Sequence, residues 1–403
     1  MNQGSNRNAR ASQLPNQRSG GHSPPYVPLL DVNRATVELR EELLAAVTRV
    51  IDSGRFLHGP DVAELEQSIA TLCGVKHAVA CASGSDALLL ALMALDIGDG
   101  DEVIVPSFTF FATASAVWRL GARPVFVDIE PGTFNLDANR IEEAVTPLTR
   151  AIIPVHLYGQ CADMDAIGVI AQQHGLHIIE DAAQAIGAKF KSWPAGSMSA
   201  VSCLSFYPTK NLGAMGDAGM LTTHDSALAD RLRLFAGHGM NPRYYHHVVG
   251  INSRLDSIQA AVLNVKLARL EEWTAQRAEN ASRYGELFRA AGLEGQVVLP
   301  QVDPRCHHVW NQYTVRIAGG RRDAVKAQLA AAGVGSEIYY PVPLHLQKCF
   351  HTLGYGPGSL PQTEKAARDV LSLPIFPEIT AVEQESVVAR LAEAMVAPVS
   401  KAA

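Results

Sequence analysis

Six short and almost uninterrupted apolar runs mark the stretch from Lys76 to about Leu221: His77–Cys81, Glu102–Val105, Pro124–Val127, Ala151–Val155, His177–Glu180 and Val201–Phe206. A run that is apolar at successive positions belongs to a strand with both faces covered. Stretches long enough for a helix lie between the runs, so the chain can cross over and return in the same direction. The pattern predicts an α/β architecture, a mixed and mainly parallel sheet between layers of helices. Upstream, Val37, Leu43, Leu44, Val47, Val50 and Ile51 fall near a 3.6-residue period, which predicts a helix over Asn33–Ser53 ended by Gly54. A long helix is expected from Asp256 through Arg269 and beyond. Near Gly292–Pro300 the texture changes. Elements at Gln312–Ile317, near Asp323–Ala332, at Gly335–Tyr339 and after Thr380 suit a smaller C-terminal α+β domain. The expected division is 26–290 for the large domain and 291–403 for the small one. Residues 1–25 are too polar to offset their ordering entropy and are expected to form a disordered tail.

With 403 residues the chain can bury a large core without disulfide or metal staples. Lys and Arg number 34 against 40 Asp and Glu, a formal charge of −6 that argues against a nucleic-acid-binding protein. Cys73, Cys81, Cys161, Cys203, Cys306 and Cys349 form no Cys-x-x-Cys pair and read as reduced thiols in a cytoplasmic protein. No stretch reaches the ~18 apolar residues of a membrane span, and the N-terminus lacks the apolar core of a signal peptide.

Three segments carry chemistry. Ala82-Ser83-Gly84-Ser85-Asp86 joins an apolar run to an apolar helical stretch. Free N–H groups and the helix dipole there suit an anion, although the segment taken alone reads first as an ordinary helix cap by Ser83 or Ser85. Glu180-Asp181 ends another run, at the strand edge where open α/β sheets bind ligands. A carboxylate at that edge can keep a pyridinium nitrogen protonated, or can simply cap the next turn. Ser205-Phe206-Tyr207-Pro208-Thr209-Lys210 follows a third run and precedes Gly213, Gly216 and Gly219. A pre-positioned lysine of lowered pKa forms a Schiff base with an aldehyde, whereas a lysine picked at random is a solvated surface residue.

The three together, in this order, resemble the pyridoxal-phosphate (PLP) enzymes of fold type I and, more narrowly, the DegT/StrS-type sugar aminotransferases. The resemblance runs from about Tyr26 to Val396. It extends to Val105-Pro106-Ser107-Phe108-Thr109-Phe110-Phe111, to Gly250-Ile251-Asn252-Ser253-Arg254-Leu255-Asp256 and to Val370-Leu371-Ser372-Leu373-Pro374. It implies the fold type I architecture with pyridoxal 5'-phosphate as cofactor. Lys210 would hold that cofactor and move a proton at the substrate carbon, and Asp181 would pair with the ring nitrogen. Gln184 would bond the phenolic oxygen, and Phe110 would stack on the ring. Gly84, Ser85 and Ser205 would bind the phosphate, with Asp86 beside them. Asn252 would reach the phosphate in the neighbouring subunit, so the resemblance implies a homodimer with shared active sites. His156 sits at another strand end, where it would line the pocket or pack as a structural histidine.

Relatives with histidine at the lysine position act as dehydratases, so Lys210 points to transamination. The implied partners are L-glutamate and a nucleotide-linked keto-sugar, in amino-sugar biosynthesis, with no nucleic acid or membrane. His238, Arg243, Tyr244 and His246 combine groups that can hold a diphosphate. Their wording is similar to members acting on 3-keto dTDP- or UDP-sugars. A 4-keto nucleotide-sugar, a cyclitol ketone such as an inosose, and a non-catalytic regulatory role are the alternatives. The paired histidines 246/247 and 307/308 lack the further ligands that would complete a metal site, and none is expected. A nicotinamide enzyme would need Gly-x-Gly-x-x-Gly between a strand and a helix, which the turn at Ser83 lacks.

Overall fold

A computed structural model describes residues 26–396. The segment 1–25, expected to be a disordered tail, lies outside the described residues. The first helical stretch is two helices, α1 (Val32–Glu38) and α2 (Arg40–Ser53), because the chain leaves helical geometry at Leu39. Gly54 ends α2 at φ 63°, a conformation open to glycine at little cost. Helix α3 (Pro60–Cys73) leads into the sheet.

The central sheet has seven strands: β1 (His77–Cys81), β2 (Glu102–Pro106), β3 (Arg123–Val127), β4 (Thr149–Ile152), β5 (His177–Asp181), β6 (Val201–Ser205) and β7 (Gly219–Thr223). Their spatial order is β1-β7-β6-β5-β4-β2-β3. Every neighbouring pair is parallel except those made by β7, which runs antiparallel to β1 and β6. The six expected strands are present. The seventh was not expected, since Gly219-Met220-Leu221-Thr222-Thr223 offers only two large apolar residues even though all five positions are buried.

Alternation along the strands explains the continuous apolar runs. Val103 and Val105 face a layer built by α4 (Gly84–Ala94), α5 (Ala112–Arg119) and, beyond them, α7 (Ser226–Ala236). Ile104 between them faces α3, α6 (Met164–His174) and α8 (Ser257–Leu267) on the other side. With both faces dry, neither parity of the strand can be polar. The helix expected from Asp256 is α8 followed by a break at Ala268–Arg269 and then α9 (Leu270–Ala290).

A smaller antiparallel sheet follows, β8 (Val297–Val298), β9 (Tyr313–Ile317) and β10 (Val370–Leu373), with β9 in the middle. Helices α10 (Arg322–Ala331), α11 (Pro361–Asp369) and α12 (Ala381–Val396) accompany it. Its core also takes in Val27 and, from α9, Ala281, Tyr284 and Phe288. The segment Gly335–Tyr339 forms no strand of its own; a single bridge joins Glu337 to Ser372. Because β7 alone is reversed, the carboxyl ends of β1, β2, β4, β5 and β6 open on one edge, beside the start of β7.

Candidate active site

That edge is built from turns pressed against one another. Ser83 caps α4, its Oγ accepting from the Asp86 N–H at 3.1 Å. Ser85 is exposed in the first turn of α4, and Asp86 is half-buried. A Cβ on Gly84 would lie 2.6 Å from the Ser205 Cβ, and one on Gly219 would lie 2.3 Å from the Ser83 carbonyl carbon. Glycine at both positions lets the β1–α4 turn seat on the ends of β6 and β7. The free N–H groups of α4 thereby stand beside the Ser205 hydroxyl, an arrangement suited to a phosphate.

Asp181 ends β5 and is buried. Its Oδ2 accepts from the Thr113 hydroxyl at 2.8 Å, and its Oδ1 accepts from the Ala183 N–H at 3.3 Å. Burial raises its pKa, against the pull of Thr113, Ala183 and Lys210. Lys210 stands in the turn after β6. Burial pushes its pKa down to about 8, while the Asp181 charge acts in the opposite sense. An amine so placed is uncharged, and therefore nucleophilic, at mildly alkaline pH. Gln184 accepts from the Tyr158 N–H at 2.6 Å through Oε1 and donates from Nε2 to the Tyr340 hydroxyl at 3.3 Å. The Phe110 ring, 58% exposed, lies 6.2 Å from the Tyr340 ring. A cavity of about 320 Å³ opens beside Thr209, lined by Tyr26, Asn311, Gln312 and Tyr339 among others.

The fold thus brings the Gly84 turn, Asp181, Gln184, Ser205 and Lys210 to one edge. Sequence reasoning missed Thr113, Tyr158 and Tyr340, which orient Asp181 and Gln184. Thr113 lies on the face of α5 turned to the strand ends, and its hydroxyl among apolar neighbours was a signal that could have found it. Tyr340 comes from far along the chain, and no local pattern marks it.

His156 is fully buried and does not face solvent. Its Nδ1 accepts from the Ala162 N–H at 3.2 Å and its Nε2 meets Glu180 Oε2 at 3.0 Å, so the packed alternative describes it. The segment with His238, Arg243, Tyr244 and His246 forms an exposed excursion between α7 and α8, with Arg243 stacked over the Tyr244 ring. His246 Nδ1 bonds the His238 carbonyl, and a backbone bridge ties Gly237 to Asn252 at its base. Among the described residues no hydrogen bond, ion pair or ring contact joins this excursion to Lys210, Asp181 or Gln184. Asn252 is itself exposed. The other paired histidines diverge: His308 is buried against the Trp310 ring, while His307 is exposed. No group of three or more His, Cys, Asp or Glu side chains placed for a metal occurs among the described residues.

A lysine amine of lowered pKa, a buried carboxylate beside it and a small-residue helix start fit the aldehyde, ring nitrogen and phosphate of PLP. The fold and this donor set define a PLP-dependent aminotransferase of fold type I. More particularly, the chain belongs to the DegT/DnrJ/EryC1/StrS aminotransferase family, whose pattern matches residues 37–392. A Geobacillus stearothermophilus protein named pleiotropic regulatory protein is 50% identical over 91% of this chain and 98% of its own. The UDP-N-acetyl-3-dehydro-alpha-D-glucosamine 3-aminotransferase of Acidithiobacillus ferrooxidans is 46% identical over 91% and 96%. The structure of S. venezuelae DesV, solved with a ketimine intermediate, superposes with a TM-score of 0.88 at 45% identity, covering 93% of this chain and all of that one.

Proposed function

We propose that this enzyme transfers the amino group of L-glutamate to a 3-keto dTDP- or UDP-sugar, as a cytoplasmic homodimer with shared active sites. The observation that carries the reading is Lys210, whose pKa burial lowers to about 8 beside Asp181. When bound, PLP supplies an electron sink that lets an amino group and a proton be exchanged at the substrate carbon. Lys210 carries the cofactor and then holds and returns that proton from its Nζ. Asp181 keeps the ring nitrogen protonated, and Gln184 donates to the phenolic oxygen from its Nε2. Gly84, Ser85 and Ser205 hold the phosphate, with Asp86 at the same helix start and Asn252 reaching across from the second subunit. Phe110 covers one face of the ring.

His238, Arg243, Tyr244 and His246 are exposed and clear of their own chain's Lys210. That placement supports their use on the diphosphate of a substrate bound in the partner's site. The name of the Acidithiobacillus relative supports a 3-keto acceptor. The regulatory name of the Geobacillus relative supports a second reading, in which the fold is kept without catalysis.

Visible absorbance of the PLP-loaded protein, before and after L-glutamate, tests the first half-reaction, with Lys210→Ala in parallel. The expected result is a glutamate-dependent spectral change in the wild type and none in the variant. A wild type without that change gives way to the regulatory reading. A panel of 3-keto and 4-keto nucleotide-sugars and an inosose, offered to the amine-loaded enzyme, then decides the acceptor.

A further inference from the structure

His156 was expected to line the pocket or to pack as a structural residue, yet its contacts give it a definite task. Its backbone N–H donates to the Asp181 carbonyl at 3.0 Å, and the Asp181 N–H donates to the Pro154 carbonyl at 2.9 Å. Its ring reaches the preceding residue, with Nε2 at 3.0 Å from Glu180 Oε2. Two residues on, the Tyr158 N–H donates to Gln184 at 2.6 Å. One short segment after β4 therefore grips Glu180, Asp181 and Gln184 together.

Glu180 points to the opposite face of β5 from Asp181 and is wholly buried. Its Oε2 also accepts from the Gly196 N–H at 2.9 Å. Its Oε1 accepts from the Met198 N–H and from the Ser199 and Ser202 hydroxyls at 2.7, 2.9 and 2.7 Å. His156 Nδ1 accepts from a backbone N–H, so it carries no proton, and Nε2–H is the donor to Glu180. Among the described residues no lysine or arginine lies within ion-pair range of Glu180. The result is a carboxylate buried one residue from Asp181 and held by the His156 ring, two backbone N–H groups and two hydroxyls.

We propose that His156 and Glu180 are a positioning pair: the ring fixes a buried carboxylate charge behind Asp181, the backbone fixes Asp181 itself, and the charge strengthens the proton held at the cofactor's ring nitrogen. A buried anion favours protonated forms nearby, because little solvent screens it. Burial opposes the ionisation of Glu180, but the bonds from His156, Gly196 and Ser202 hold its pKa below the ordinary value. The other titratable groups facing Glu180 are the thiols of Cys73, Cys161 and Cys203, all raised by burial and so uncharged at neutral pH. Those facing Asp181 are Lys210, Tyr340, Cys203 and His156.

The proposal rests on Asp181 being the partner of the ring nitrogen, and the test separates the two. The pH midpoint of ring-nitrogen protonation, read from the 15N chemical shift of ring-labelled bound cofactor, is measured in the holoenzyme, with Tm alongside. Glu180→Gln and His156→Phe are expected to lower the midpoint by about one pH unit, tenfold in the protonation equilibrium. His156→Gln, which keeps a donor where Nε2 stood, is expected to stay near the wild type. A loaded, folded Glu180→Gln with an unmoved midpoint overturns the proposal, whatever its Tm. If that variant fails to load, His156→Phe against His156→Gln decides: equal midpoints overturn the proposal and unequal ones support it. Asp181→Asn is the control, and an unmoved midpoint there removes the assignment of Asp181 on which the pair depends.

Discussion

Lys210 shows how one environment sets one reactivity. The side chain stands half-buried in the turn after β6, and the charged form loses hydration that Asp181 only partly replaces. With its pKa near 8, the uncharged amine grows tenfold with each pH unit below that value and levels off above it. Capture of added PLP by the cofactor-free enzyme is expected to follow the same curve, read as the rate of the absorbance change. A flat profile between pH 6 and 8 would show that amine protonation does not limit capture. Lys210→Ala is expected to remain folded by circular dichroism while transamination falls by several orders of magnitude. Retained turnover in that variant would place the chemistry elsewhere.

At the scale of elements, the site depends on how closely the β1–α4 turn seats on β6 and β7. Gly219→Ala would drive a methyl group into the Ser83 backbone, which has no flexible end to move aside. The expected cost is about 1–3 kcal/mol of stability together with weaker PLP binding, read by Tm and by cofactor titration. Gly168→Ala on α6 is the contrast, since nothing lies within 4 Å of the added carbon. There a gain of about 0.5–1 kcal/mol is expected. A second tie holds the first helix to the last. Arg34 on α1 donates to both oxygens of Glu383 on α12, at 2.6 and 2.9 Å, and to the Glu378 carbonyl. Arg34 bonding holds the Glu383 pKa down at about 2. A carboxylate lowered on folding contributes stability above its unfolded value and loses it as pH falls through the folded one. Glu383→Gln is therefore expected to lower stability by about 1–2 kcal/mol at pH 7, with the difference fading between pH 4.5 and 2. Chemical denaturation of both proteins across that range measures it.

For the whole molecule, the excursion at 238–247 and Asn252 stand exposed on a chain whose Lys210 lies in a different turn. If these residues serve the partner's site, two defective chains can repair each other. Lys210→Ala and Asn252→Ala, unfolded together and refolded as a mixture, are expected to recover up to about a quarter of wild-type activity. Half of the dimers are then mixed, and each mixed dimer has one intact site. Activity no higher than the sum of the two variants alone would mean that each chain completes its own site.

The sequence by itself determined six of the seven strands of the central sheet. Continuous apolar runs require strands covered on both faces, and the structure brings the turns that end them, with Gly84, Asp181, Ser205 and Lys210, to one edge. Periodicity did not reveal that Asn33–Ser53 and the stretch after Asp256 are each broken, because a break of one or two residues barely disturbs a 3.6-residue pattern. It also did not reveal β7, whose burial comes from its position between β1 and β6 rather than from its own composition. Only the tertiary structure decided which residues support the reactive ones. Thr113, Tyr158, Tyr340 and the His156–Glu180 pair act through hydrogen bonds between segments far apart in the chain. Such contacts leave no local pattern, because they depend on distances that exist only once the layers have packed.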